Sequence, residues 1–111
     1  WEAVGLDIAD CATVSLDTSD TRDIYGITTP LVMSSFSRLR WQDADAIMFT
    51  GTGMPTLRAL VEVSSMTGKP VLSSNLCLAW AMVREAGGAA YLAPERVGEP
   101  LYGGWAARIP V

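Results

Sequence analysis

The chain has 111 residues, of which 50% are apolar and 18% charged, a balance that suits one packed core and argues against a disordered segment. Its 8 basic and 12 acidic residues leave a net charge of −4, and with no basic run it is poorly suited to nucleic acid or an anionic membrane. Histidine is absent and there are two cysteines, Cys11 and Cys77, which excludes His-based triads, His-ligated metals, a structural zinc site and a disulfide-rich secreted fold.

The first ten residues carry Glu2, Asp7 and Asp10 and no basic region, unlike a secretory signal. Charged residues, Gly and Pro interrupt every apolar stretch well before the length of a bilayer. The expected setting is soluble, reducing and cytoplasmic, without nucleic-acid or membrane partners.

Along the chain, Leu6 to Leu16 reads as a strand, with Ile8, Val14 and Leu16 apolar and Thr13 β-branched. Asp17 to Ile27 is rich in Asp, Thr, Ser and Gly and reads as a loop. Thr29-Pro30 looks like an N-cap followed by proline at the first helical position. Val32, Phe36 and Leu39 then recur at spacings of four and three, which predicts a helix ending near Trp41.

Ala44 to Thr50 is the clearest strand, and the unbroken apolar run Ala46-Ile47-Met48-Phe49 suggests burial on both faces. It stops at Thr50-Gly51-Thr52-Gly53. A second helix opens at Pro55, with Leu57, Leu60, Val61 and Ser64 in phase, and closes at Gly68 as its C-cap glycine. Pro70 to Ser73 is a short third strand. Asn75 suits the N-cap of a third helix, where Leu76, Ala79, Trp80 and Val83 share one face and Gly87-Gly88 end it. After Ala89 the chain is rich in Gly and Pro and reads as irregular, apart from a short strand at Ala89 to Leu92.

Strand and helix alternate three times, the pattern of an α/β fold with parallel strands. The expected architecture is three-layered, α/β/α, around a short parallel sheet: one partial domain over 1–111, with its core in 6–88 and an irregular tail in 89–111. Ligands of such folds bind outside the carboxyl ends of the strands, so the segments Thr50 to Met54 and Ser73 to Asn75 matter most.

Gly51 and Gly53 sit between a buried strand and a helix N-terminus. Glycine lets backbone approach a ligand closely, and the open N–H groups and positive dipole end of a helix favour an anion. Thr50 and Thr52 add hydroxyl donors. A carboxylate or phosphate suits this chemistry, although neither GxGxxG nor Gly-Lys-Ser/Thr is present; a plain Gly-rich connector is the competing reading. Ser73-Ser74-Asn75 reads first as helix capping, with Ser74 and Asn75 also candidates to face the same ligand.

Several other features have structural readings. Cys11 is expected to be buried within the first strand. Cys77, near the start of the third helix, is a candidate redox or nucleophilic thiol or simply structural. Asp17, Asp20 and Asp23 with Arg22 lack the Gly and distal Glu of a calcium loop and read as a solvated surface. Trp80 is expected in the core. No metal ligand set is legible.

Three runs carry a resemblance: Asp45 to Leu57, Gly68 to Asn75, and Ala79 to Arg84. Ala3 to Ile8, Asp20 to Ile24 and Thr28 to Pro30 fit upstream. In this order they resemble the aspartate/glutamate racemase superfamily, most closely its maleate cis-trans isomerase and arylmalonate decarboxylase branch. The resemblance implies a flavodoxin-like half-domain that faces a second, similar half across an active site. It implies cofactor-free chemistry in which thiols at strand ends move a proton α to a carboxylate or attack an alkene. At the position of the thiol in a Cys-Thr-Gly-Met-Pro-like loop, this chain has Gly51, so no catalytic residue is assigned here. Thr50, Gly51, Thr52, Gly53, Ser74 and Asn75 are carried over as substrate-binding residues only.

By this resemblance the chain is expected to be the C-terminal half of an isomerase, decarboxylase or racemase of small carboxylates, inactive alone. It would be completed by a missing N-terminal half or a homodimer partner, with an exposed apolar edge where that partner sits. A non-catalytic carboxylate-binding domain is the alternative. The start at Trp1 without Met, and the match of Trp1 to Gly5 to the end of a helix, support an incomplete half.

Overall fold

The computed structural model describes residues 1–87. Its regular elements begin with a short 3₁₀ turn at Glu2–Val4, closed by Gly5, and a second 3₁₀ turn at Thr21–Gly26. The helix Thr29–Phe36 (α1) and the strand Ile47–Phe49 (β1) follow. The helix Leu57–Thr67 (α2), the strand Val71–Ser73 (β2) and the helix Ser74–Glu85 (α3) complete the set. β1 and β2 pair in parallel with Ile47 opposite Val71, Met48 opposite Leu72 and Phe49 opposite Ser73. The fold is α/β, with α1 packed on α2, and both α2 and α3 packed on β2.

The core forms where the two strands meet α1 and α2. Ile47, Phe49 and Val71 are buried together with Val32 and Phe36 of α1, and with Ala59, Leu60 and Val63 of α2. Val63 falls four residues after Ala59 and three after Leu60, so one face of α2 holds all three. Leu60, Val32, Val63 and Val71 are fully enclosed. Burying such side chains stabilises the fold by about 1.5–3 kcal/mol each.

Several expectations change, among them the cap of α1, which is Thr28 rather than Thr29. First, no strand forms over Leu6 to Leu16, and the described sheet has two strands rather than three. Leu6 and Ile8 are exposed, Val14 and Leu16 are only partly buried, and Cys11 is exposed rather than in the core. Among the described residues this span meets no neighbouring strand to complete a ladder; it is held instead through Asp10, whose carboxylate accepts from the Arg40 N–H at 2.9 Å. That bond and a second from the Cys11 N–H hold the Asp10 pKa below its ordinary value.

Second, α1 stops at Phe36, short of Trp41. Ser37 donates its hydroxyl to the Ser34 carbonyl at 2.8 Å, the local competition by which serine ends helices. The chain then folds back so that Trp41 stacks on Phe36 with ring centroids 6.2 Å apart. Third, β1 is buried on one face only: Ile47 and Phe49 point inward, while Met48 is exposed. Fourth, Asn75 is not the N-cap of α3. Ser73 is, accepting from the Leu76 N–H at 3.1 Å.

Other expectations stand in whole or in part. Gly68 closes α2 in the left-handed conformation, φ 65°. The apolar stripe of α3 is present, with Leu76 buried and Ala79, Trp80 and Val83 partly buried. Trp80 is half-covered rather than in the core, and the Arg84 guanidinium lies 5.4 Å from its ring centroid. The end of α3 falls at Glu85, followed by Gly87 at φ 80°. The proposed strand at Ala89 to Leu92 and the irregular tail lie outside the described residues. No described helix is long and apolar enough to cross a membrane.

Candidate functional site

Parallel pairing puts the carboxyl ends of β1 and β2 at one edge, because Phe49 and Ser73 are register partners. Both segments singled out from the sequence leave the sheet there. The first runs from Thr50 to Thr56 into α2; the second enters α3 directly at Ser74. They touch: the Asn75 side-chain amide donates to the Thr52 carbonyl at 3.0 Å.

The first loop is open. Thr50, Gly51 and Thr52 are exposed, Gly53 is partly buried, and Met54 is buried in the core as the peg that returns the chain to the fold. Gly51 has φ 104°, a backbone conformation that side chains rarely adopt, and a Cβ placed there would meet nothing within 4 Å. Gly53 is required for a different reason. A Cβ there would lie 2.8 Å from Ile24 Cγ2 and 3.6 Å from Tyr25 Cε1. The 3₁₀ turn Thr21–Gly26 therefore backs directly against this loop. Asp20 caps that turn by accepting from the Arg22 N–H at 2.9 Å, and it pairs with the Arg22 guanidinium at 2.6 Å. These bonds hold the Asp20 carboxyl below its ordinary pKa.

The N-terminus of α2 is left open by its own cap. Thr56 has φ −114° and ψ −13° and makes no side-chain capping bond, and the first turn holds no acidic residue. The first N–H groups of a helix have no intrahelical partner. This helix end follows, within a few residues of chain, two glycines and two exposed threonines, a setting that suits a carboxylate.

The second loop is closed. Ser73 is buried, has extended geometry at φ −140° and ψ 158°, and satisfies the Leu76 N–H itself. Ser74 is partly buried and Asn75 is exposed, its amide turned to the first loop. Thr50, Gly51, Thr52, Gly53, Ser74 and Asn75 thus share one edge of the sheet. Sequence reasoning missed two supporting residues, Ile24 and Thr56, and within the capping segment Ser73 to Asn75 it gave the cap to Asn75 rather than Ser73. Ser73 was detectable as a serine three positions before Leu76, the spacing of an N-cap to its N3 amide. No local signal marks Ile24.

Among the described residues no group of three or more His, Cys, Asp or Glu side chains is placed to hold a metal ion. In the acidic stretch, Asp20 is engaged by Arg22, and Asp23 accepts from the Thr18 hydroxyl at 2.7 Å. Cys77 lies in the first turn of α3 and is partly buried.

A family model described as arylmalonate decarboxylase matches residues 2–95. The chain belongs to the arylmalonate decarboxylase family. A maleate isomerase from Alcaligenes faecalis is 28% identical over 87 residues, which are 78% of this chain and 34% of that protein. The chain therefore spans about a third of the length of this curated relative. No solved structure matches it. Within the arylmalonate decarboxylase family, the chain is an isomerase/decarboxylase-like domain, and the matched span contains both loops at the sheet edge.

Proposed function

We propose that this chain supplies the carboxylate-holding side of a cofactor-independent active site for isomerisation, decarboxylation or racemisation of small carboxylates. The observation that carries the reading is the uncapped start of α2 beside Gly51 and Gly53. Substrate carboxylate oxygens accept from the loop and helix N–H groups and from the Thr50 and Thr52 hydroxyls. As a proton leaves the α carbon, or as carbon dioxide departs, negative charge grows on those oxygens as an enolate. Fixed donors stabilise that charge most where it develops.

The proton itself must be moved by another group. Gly51 has no side chain to do so, and an unassisted threonine hydroxyl is a poor base near neutral pH. A thiol presented by a second α/β half, or by a second copy of this chain, completes the chemistry; alone, the chain is inactive. The exposed Trp1, Val4, Leu6 and Ile8 support a surface that such a partner covers. A monodisperse, stable monomer of the chain in solution would count against that partner.

A non-catalytic carboxylate-binding domain is the second reading, favoured by one observation. The Gly51 backbone at φ 104° is ill-suited to carry a cysteine.

Titration of the ¹⁵N-labelled chain with malonate and with maleate, against chloride at equal ionic strength, tests the common part of both readings. Saturable amide shifts at Gly51, Gly53, Leu57 and Arg58 are expected. Unchanged amides at all four would overturn the site. The two readings separate by activity when the chain is combined with a thiol-bearing half from the same family: turnover supports the first, binding without turnover the second.

A further inference from the structure

Asn75 is exposed, and Ser73 already supplies the cap of α3. Its amide is therefore not needed where local rules would place it. Instead it reaches a carbonyl 23 residues away in sequence, that of Thr52, at 3.0 Å. All described peptides are trans, and in a trans peptide the C=O and the following N–H point in opposite directions. Holding the Thr52 carbonyl toward α3 turns the Gly53 N–H away from it. Gly53 also meets Ile24, whose Cγ2 would lie 2.8 Å from a Cβ there. The loop is thus held by a hydrogen bond at Thr52 and a close methyl contact at Gly53.

We propose that Asn75 is a positioning residue that fixes the direction of the Gly53 N–H by holding the Thr52 carbonyl. The proposal rests on the carboxylate reading only for the use made of that N–H; the orientation is testable without ligand. In Asn75→Ala the donor is lost, so the Thr52 carbonyl ¹³C resonance and the Gly53 amide ¹⁵N resonance of the same peptide both shift. In Asn75→Asp at neutral pH the shape is kept but the donor is replaced by an acceptor, with the same effects. Acidification below the ordinary aspartic acid pKa of about 3.9 restores an O–H donor, and the Thr52 resonance returns toward its original position. The Leu60 amide, deep in the core, serves as the folding control and stays unchanged. Unaltered Thr52 and Gly53 signals in both variants, with the fold intact, would overturn the proposal.

The malonate titration separates the two ideas. If the parent chain binds malonate, and Asn75→Ala binds it equally well with the same Gly53 shift, positioning fails and the carboxylate reading stands. If the parent chain does not bind but the ligand-free responses occur, the reverse holds.

Discussion

Two strand-to-helix junctions leave the same edge of the same small sheet, and they treat their helix ends oppositely. At the start of α3, Ser73 is extended, buried and bonded to the Leu76 N–H. At the start of α2, Thr56 sits near the helical basin at φ −114° and ψ −13°, and its side chain makes no capping bond. A capping side chain reaches the N2 or N3 amide from extended backbone geometry. Both junctions have hydroxyl residues in the right place, yet only one helix end is satisfied. The difference separates a closed junction from an open one: the second loop closes its helix and lends its asparagine to the first, and the first leaves the amides that the proposed function gives to a ligand.

Four measurements would break or sharpen this contrast. The largest effect is expected from Gly53→Ala, whose new methyl would lie 2.8 Å from Ile24 Cγ2. Isoleucine is stiff at χ1, so relief requires backbone movement, and a loss of about 1–3 kcal/mol is expected in urea unfolding. An unchanged midpoint would show that the 3₁₀ turn does not press on the loop.

Gly51→Ala comes next. Space is available, but φ 104° is costly for any side chain, and a loss of about 1–2 kcal/mol is expected. Gly51→Cys should lose a similar amount; a cysteine variant as stable as the parent would remove the backbone argument for a non-catalytic loop.

A third comparison sets the two caps against each other. Ser73→Ala should cost about 1 kcal/mol, because a buried N–H loses its acceptor. Thr56→Val should fall within about 0.5 kcal/mol of the parent, since no cap bond is lost. Equal losses would erase the distinction between the junctions.

The smallest effect concerns pH. The folded-state pKa of Asp20 is depressed, first by the Arg22 side chain and then by the Arg22 N–H. Its contribution is therefore present above the ordinary value of 3.8 and lost as pH falls through the lower folded value. Asp20 caps the turn that backs Gly53, so acidification should shift the Gly53 amide resonance before it disturbs that of Leu76. Simultaneous change at both amides would show that the two loops are not independently supported.

Much of this molecule was legible locally. Gly68, as a C-cap, and the apolar stripes of α2 and α3 follow from spacings within one or two helical turns. The strand at Ile47–Phe49 was visible in its apolar run, although the exposure of Met48 was not, because burial of the second face depends on what covers it. The strand expected over Leu6 to Leu16 failed for the same reason. A strand is completed by a neighbour, and no period in the sequence states whether one is present. Asn75 was a good N-cap by residue type, but Ser73, two residues earlier, holds that position.

The sequence by itself determined the α/β alternation and the two loops that leave the carboxyl edge of the sheet. It also determined the absence of a thiol at position 51, since these depend on residue identity and on contacts a few positions apart. Only the tertiary structure decided which helix end stays open, why Gly53 must be glycine, and what Asn75 holds. Those answers depend on Ile24 meeting Gly53 and on Asn75 meeting Thr52 across 23 residues of chain. Such contacts form only after the strands have paired and brought distant segments to one edge.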